Sequence, residues 1–572
     1  MSRAVRADGE AGKQCSASHG HELSQAVRCA RMWGPYSLSR YSRGGLGRES
    51  SGLWLIVSFL ILTCLGIGCT PTPRILTADE QHVIDRSLVE YPAKFELRRY
   101  MTSLTAPTAI AFDEDGSLLV AQGERDEEPT IFRVSKAGKL ELFYPRDRKF
   151  PFNFPVTGWR MYGPIGGMVV YKDEVYVSHR DANGFGVITA LDHKGNHRTV
   201  VAELPAQGDY GVTDLAIDPT GRLFFGVGTA TNSGVVGLDN WGAGWVLEHP
   251  QFHDVPWHDL FLFGYRFDSP NPMAGLFGPA DIAVTGPFQA FNQATQLRVP
   301  GAISGKPSGA ICSVSPQGGP IRVEGYGIHN PRGIAFDNYN QPYFTDTGME
   351  LRGTRPINKD PDALLRLVLG QTWYGWPDYS RDLTKISEKQ FQPPAELIAR
   401  TGYPEGVRAL IDESDSGLTA PLRDSLWQAT FPWMSGAAKL RFAPADWPLR
   451  SVAGNAVVAL SGDRAPFATD GRQIVGPGGY RVVWVDMGRH SVHDLIRNTA
   501  LLPRSRVNAK NGDLLERPID PIFAPDGTLY ILDYGHMEDR DGKERVERGT
   551  GQIFRLIPPH EPAKPTQPSQ PG

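Results

Sequence analysis

Four sixteen-residue segments of the chain superpose without gaps: "PTAIAFDEDGSLLVAQ" from Pro107, "VTDLAIDPTGRLFFGV" from Val212, "PRGIAFDNYNQPYFTD" from Pro331 and "PIDPIFAPDGTLYILD" from Pro518. Each reads as a short strand with apolar residues at alternate positions, a turn of the D/P-x-x-G type, and a second strand rich in Leu, Phe, Tyr and Val. Two weaker copies fill the gaps, "IGGMVVYKDEVYVSH" from Ile165 and "GAAKLRFAPADWPLRSVAGNAVVALSG" from Gly436, the latter with a longer turn. Further strand-like sequence follows each hairpin, such as "TIFRVSKAGKLELFY" and "GVITALDHKGNHRTV". A lone four-stranded sheet cannot bury both faces, whereas sheets stacked round an axis can. The repeat therefore predicts an all-β fold, a six-bladed β-propeller with long face loops, running from about Leu76 to about Pro558. A helical solenoid is the competing repeat architecture, but Pro or Gly interrupts nearly every window, as 63 Gly and 46 Pro among 572 residues imply.

The blades proper are expected over 105–558, with inner hairpins near 107, 165, 212, 331, 436 and 518, and 69–104 as linker and entry into the ring. The long interval before Pro331 predicts a loop excursion at about 233–299 over one face. The tail "HEPAKPTQPSQPG" within 559–572 reads as disordered by composition. Residues 1–68 read as leader and signal: "WLIVSFLILTCLGIG" follows Arg40, Arg43 and Arg48, is short for a membrane span, and closes on Cys69. Cys69 after a small residue resembles a bacterial lipoprotein processing site, although Gly66 stands where a branched residue is usual. The expectation is an exported protein, periplasmic or at the cell surface, held to the membrane by lipid on Cys69 or by the signal segment itself; Met32 could be the true start.

Of the five cysteines, only Cys69 and Cys312 remain after cleavage, so no disulfide is expected, and no CxxCH is present for a c-type haem. A net charge of -4 offers no global basic field for nucleic acid. P-loop, dinucleotide G-x-G-x-x-G, HExxH and nucleophile-elbow patterns are absent.

The block Gly325 to Ser380 carries "HNPRGIAF", "TDTG", "RGTRPI", "DPD" and "WYGWPD" in an order that resembles the glucose/sorbosone dehydrogenase family, and "GTATNSGVVGLDN" from Gly228 is closest to its L-sorbosone-dehydrogenase-like branch. The resemblance runs through most of residues 105 to 557. It implies a sugar or polyol dehydrogenase-like propeller that oxidises a carbohydrate hydroxyl or aldehyde with pyrroloquinoline quinone (PQQ) and calcium, passing electrons to an acceptor protein. In that family a histidine following an aspartate takes the hydroxyl proton, and the pair here is Asp209-Tyr210. An unperturbed phenol, with a pKa of about 10, is ionised to about one part in a thousand at pH 7. Service as a base would need a shift of several units from adjacent cations or metal; the alternative is an aromatic residue at the funnel rim.

The resemblance also implies cofactor contacts from His329 and Asn330, where the family has Arg-Asn, from Arg464 in the fifth blade, and from Arg517, whose second family arginine is Ile519 here. It implies backbone calcium ligands at Gly348 and Met349. Two alternatives stay open: a catalytically silent propeller that binds a glycan or protein partner at the cell surface, and a calcium-dependent lactonase-type hydrolase with a partial cage from Asp209, Asn330 and Asp520. Two further clusters attract attention. "HPQFHDVPWHDL" gathers His249, His253, Asp254, His258 and Asp259 with possible metal-binding spacing, and Arg352 and Arg355 beside Glu350 and Asp346 could be a buried ion network or an anion clamp.

Overall fold

The computed structural model describes residues 71–559, apart from 126, 146–158, 275–280, 399–405, 470, 473–477 and 541–542. The leader, Cys69 and residues 560–572 lie outside the described residues. The chain divides into the units Met1–Cys69 and Thr70–Gly572, and everything below concerns the second. Among the described residues no helix is long and apolar enough to cross a membrane.

Six sheets form the six blades, antiparallel throughout except where Thr372–Trp373 adds a short parallel edge to Arg322–Tyr326 in the third. Their innermost strands are Pro107–Phe112, Tyr162–Tyr171, Val212–Ile217, Pro331–Phe336, Ala437–Phe442 and Pro518–Phe523, and each touches the next in cyclic order, the last returning to the first. The six hairpins of the repeat are thus the inner hairpins of a closed six-bladed β-propeller. The turns are of the expected kind: Gly116, Gly221 and Gly527 adopt positive φ, and Asn340 takes the same conformation where the fourth segment has no glycine.

The core is divided among the seams between blades. Ile131, Met168 and Val177 fill the first seam, Ile188, Phe225 and Cys312 the second, Phe224, Ile334 and Phe344 the third. Leu364, Leu440 and Val458 fill the fourth, Val457, Ile531 and Phe554 the fifth, and Ile110, Met101 and Ile553 the sixth. Cys312 is a free, buried thiol in this packing.

Closure corrects the expected boundary at residue 105. Glu96–Leu104 pairs with Gly551–Ile557 in the last blade and Arg74–Ile75 adds a fifth strand outside it, while Val89–Glu90 edges the fifth blade. The segment read as linker and entry into the ring therefore supplies blade strands, because the last blade draws only three strands from its own repeat. The excursion at 233–299 is more ordered than loops: it contains the short helices Leu238–Gly242 and Trp245–Glu248 and the strand pairs Leu260–Phe261 with Arg298–Val299 and Phe267–Pro270 with Ile282–Thr285.

Each inner strand breaks register near its start. The ladder skips from Pro107 to Ala109, Val212 to Leu215, Pro331 to Gly333, Ala437 to Leu440, Pro518 to Asp520 and Tyr162 to Gly167. A bulge of this kind re-aims the side chains it leaves unpaired. At the axis the next layer is an ion network: Lys439 lies 3.3 Å from both Asp214 and Asp520, and Arg441 lies 3.3 Å from Asp214 and 3.5 Å from Asp520. Inner strands approach so closely there that a Cβ on Gly333 would sit 2.7 Å from the Lys439 backbone.

Candidate functional site

The bulged residues Thr108, Gly166, Thr213, Arg332, Ala438 and Ile519, one from each blade, line an axial funnel of about 320 Å3. Its charged walls are Arg125, Arg180, Arg332, Lys439 and Arg464 against Asp209 and Glu544, with Asn330, His179 and Tyr534 among the remaining polar groups. The positive charge at the ring axis is therefore local, set within a chain whose net charge is negative.

"GDYG" extends the third inner hairpin past its strands. The Asp209 amide donates to the Ala230 carbonyl at 3.0 Å and the Tyr210 amide to that of Thr229 at 3.3 Å. This hands Asp209 to a buried cluster. Its carboxylate accepts from Asn240 Nδ2 at 3.0 Å, from Trp245 Nε1 at 2.8 Å and from Arg352 at 2.7 Å, so the two excursion helices are tied to the funnel wall. Arg352 also holds Glu350 and Asp239. Burial pushes the Asp209 carboxyl up, but Arg352 and the donated hydrogen bonds prevail and hold it below its ordinary value. Asp239 goes the other way, raised to about 6 by burial and by the neighbouring Asp209 charge, against the pull of Arg352.

Tyr210 sits in surroundings that do not favour a base. Its ring is buried, stands edge-on to His329 at 4.8 Å, and does not line the funnel. Burial, then the Glu350 carboxylate, push the phenol far above its ordinary value despite Arg352 and Arg464. The cations that could have activated it are committed to carboxylates. His179 does not replace it: Nδ1 meets the Arg180 carbonyl at 2.6 Å, Nε2 meets Thr189 Oγ1 at 2.8 Å, and burial pushes the imidazole down to about 4.

The other expected site residues separate. Asn330 and Arg464 line the funnel; Arg464 clasps Glu544 through two nitrogens at 2.8 and 2.6 Å and reaches Glu350 at 3.2 Å. His329 is fully buried behind the wall, with Nδ1 against the Thr347 carbonyl at 2.7 Å, Nε2 without a hydrogen bond, and its imidazole pushed down to about 4 by burial. Arg517 turns away, donating to the carbonyls of Ser461 and Asp463 at 3.2 and 2.7 Å. Gly348 and Met349 lie off the funnel, their amides donating to Asp362 and Asp360 at 2.8 Å each.

Among the described residues no three His, Cys, Asp or Glu side chains are placed to hold a metal ion. The histidine-rich segment is dispersed: Asp254 accepts from Ala230, Thr231 and Ser308, while Asp259 pairs with Arg298. The lactonase-type cage is likewise unmade, since Asp209 belongs to Arg352 and Asp520 to Lys439 and Arg441. Arg355 binds Asp378, and Asp346 binds Arg381, so only Arg352 and Glu350 of that motif adjoin the funnel.

Arg125, Arg180, Arg332, Tyr534 and Glu544 are funnel residues that sequence reading missed. For Arg332 the signal was present, because it occupies the same repeat position as Thr108 and Thr213. Glu544 comes from the strand pair Met537–Arg540 and Lys543–Val546, inserted in the last blade after its inner hairpin and outside the repeat pattern.

No protein-family model matches the chain, and no curated protein matches it. Among solved structures it is similar to the PQQ-bound aldose sugar dehydrogenase of Streptomyces coelicolor, at 15% identity over 82% of this chain and 99% of that one with a TM-score of 0.41. It is also similar to the PQQ domain of pyranose dehydrogenase from Coprinopsis cinerea, at 15% identity over 83% and 98% with a TM-score of 0.45. A third is the periplasmic gluconolactonase of Pseudomonas aeruginosa, at 12% identity over 83% and 98% with a TM-score of 0.29. At these identities the chemistry rests on this chain's own residues.

Proposed function

We propose that the axial funnel takes a carbohydrate or related polyol together with a carboxylate-bearing quinone of the PQQ type, as a sugar-dehydrogenase-like propeller would. One observation carries the reading: five cationic side chains converge on the funnel against two carboxylates. Guanidinium and ammonium groups in a partly desolvated cleft suit a polycarboxylate, guanidinium by paired hydrogen bonds and ammonium as a point charge. Arg125 is the candidate holder of the quinone, with Asn330 as a neutral contact. PQQ, when bound, would supply a two-electron acceptor for hydride. Among the described residues the side chains offer no carboxylate cage for calcium, so a calcium ion held by these would have to rest on backbone oxygens. An electron-acceptor protein, export and lipidation at Cys69 complete the proposal.

A second reading, a propeller that binds its ligand without oxidising it, is favoured by Tyr210. Burial and the Glu350 charge push its phenol above its ordinary value, Asp209 is held by Arg352, and both nitrogens of His179 are engaged. Calorimetric titration of PQQ into the full-length protein, followed by assay of hexose and polyol oxidation, separates the two. Micromolar binding with turnover supports oxidation, binding without turnover leaves the silent propeller, and no heat removes the quinone from both.

A further inference from the structure

We infer that Arg332 selects an acidic sugar, a uronate or aldonate, by taking its carboxylate at the funnel floor. The inference rests on the funnel being the ligand site. The six floor positions are one repeat position seen six times, and five of them are Thr, Gly, Thr, Ala and Ile, none able to carry charge. The fourth blade alone places a guanidinium there.

That guanidinium is unlike the other cations near it. Lys439 is held by Asp214 and Asp520, and Arg464 by Glu544 and Glu350. Arg352, behind the wall, is held by three carboxylates. Arg332 forms no ion pair among the described residues, and its one hydrogen bond is a long donation to Ser461 Oγ at 3.4 Å. Burial lowers its pKa and the Arg464 charge adds to the effect, offset in part by Asp362, which makes no ion pair with it.

Its surroundings complete a sugar-acid seat. Tyr534 lines the same funnel within the field of Arg332, and its hydroxyl has no hydrogen-bond partner among the described residues. Thr108 Oγ1, also on the floor, is buried without a partner. A guanidinium for a carboxylate and two hydroxyls for ring or chain hydroxyls is the donor set that an acidic monosaccharide would satisfy. A neutral sugar would leave the Arg332 charge desolvated and unmatched.

The same carboxylate chemistry could come from the quinone, and the test separates the sources. Glucuronate, gluconate, glucose and PQQ are titrated separately into the full-length protein and into Arg332→Gln and Arg332→Lys. The expected result is glucuronate or gluconate binding about tenfold or more tighter than glucose. This preference should vanish in Arg332→Gln and be partly kept in Arg332→Lys, with melting temperatures unchanged. Equal affinity for glucuronate and glucose in the unaltered protein overturns the inference without need of a variant. PQQ binding that is lost in Arg332→Gln, without any preference for acidic sugars, also overturns it, assigning Arg332 to the quinone and leaving the proposed function standing. Acidic-sugar binding without PQQ binding does the reverse.

Discussion

Arg352 and Arg332 lie close in sequence, one buried among carboxylates and the other lining the funnel, and they solve opposite problems. Arg352 is almost wholly buried, with Asp209, Asp239 and Glu350 around it. Arg332 stands in the funnel, and among the described residues no carboxylate lies within ion-pairing distance of it. A buried charge that is fully paired is part of the frame, and removing it strands its partners. A charge left unpaired at a cavity wall contributes little to the frame and is kept available for a ligand.

The largest test of that contrast is stability. Arg352→Met leaves three buried carboxylates without their cation and is expected to cost about 3–5 kcal/mol. Arg332→Met removes a charge with no counter-ion and is expected to cost less than about 1 kcal/mol. Paired thermal melts check both, and equal losses would erase the distinction.

The next is pH. Asp239 has a folded pKa raised from 3.8 to about 6, so the folded state binds its proton more tightly than the unfolded chain. Stability from this group is present at low pH and is lost as pH rises through that window, by up to about 3 kcal/mol. Asp209, held low, works with the opposite sign: its contribution is present above the ordinary carboxylate range and fades as pH falls through its depressed pKa. Melting across pH 4 to 7 should show Asp239→Asn flattening the loss on the rising side, while Asp209→Asn costs stability at neutral pH.

A smaller effect is expected at Tyr210. Its hydroxyl lies 3.4 Å from both Glu350 and Arg352, so Tyr210→Phe should cost no more than about 1 kcal/mol and leave ligand affinity in place. A large fall in binding heat would return the phenol to the site. Smallest of all is the response to chelation: with no acidic cage among the described residues, EDTA should lower the melting temperature little, and a large fall would mean a calcium ion held by backbone oxygens.

The hairpins were legible in the sequence because period-two alternation and turn chemistry are local, and each survives unchanged in the ring. The funnel was only half legible. Asn330 and Arg464 were found by motif order, whereas Arg332 was read as ordinary repeat sequence because bulges, which decide what faces the axis, leave no mark of their own in composition. Arg517 shows the converse error. Its position beside the last inner strand was right, but the carbonyls of Ser461 and Asp463 claim its side chain, and such long-range partners are invisible in one chain read end to end. The same holds for Asp239, Asn240 and Trp245, which excursion sequence brings to Asp209 from some thirty residues away.

The seam between Glu96–Leu104 and Gly551–Ile557 has a consequence for how the molecule comes into being. One strand emerges early from the ribosome and its partner only after nearly the whole chain has been made. Until then Met101 and Leu104 lack the Ile553 neighbour of their shared cluster, and the early strand presents unpaired amides and carbonyls. Such distant pairing is slow to form. A product that terminates before residue 551 can assemble its first blades but cannot lock the circle, leaving an adhesive edge that quality-control proteases and chaperones can recognise.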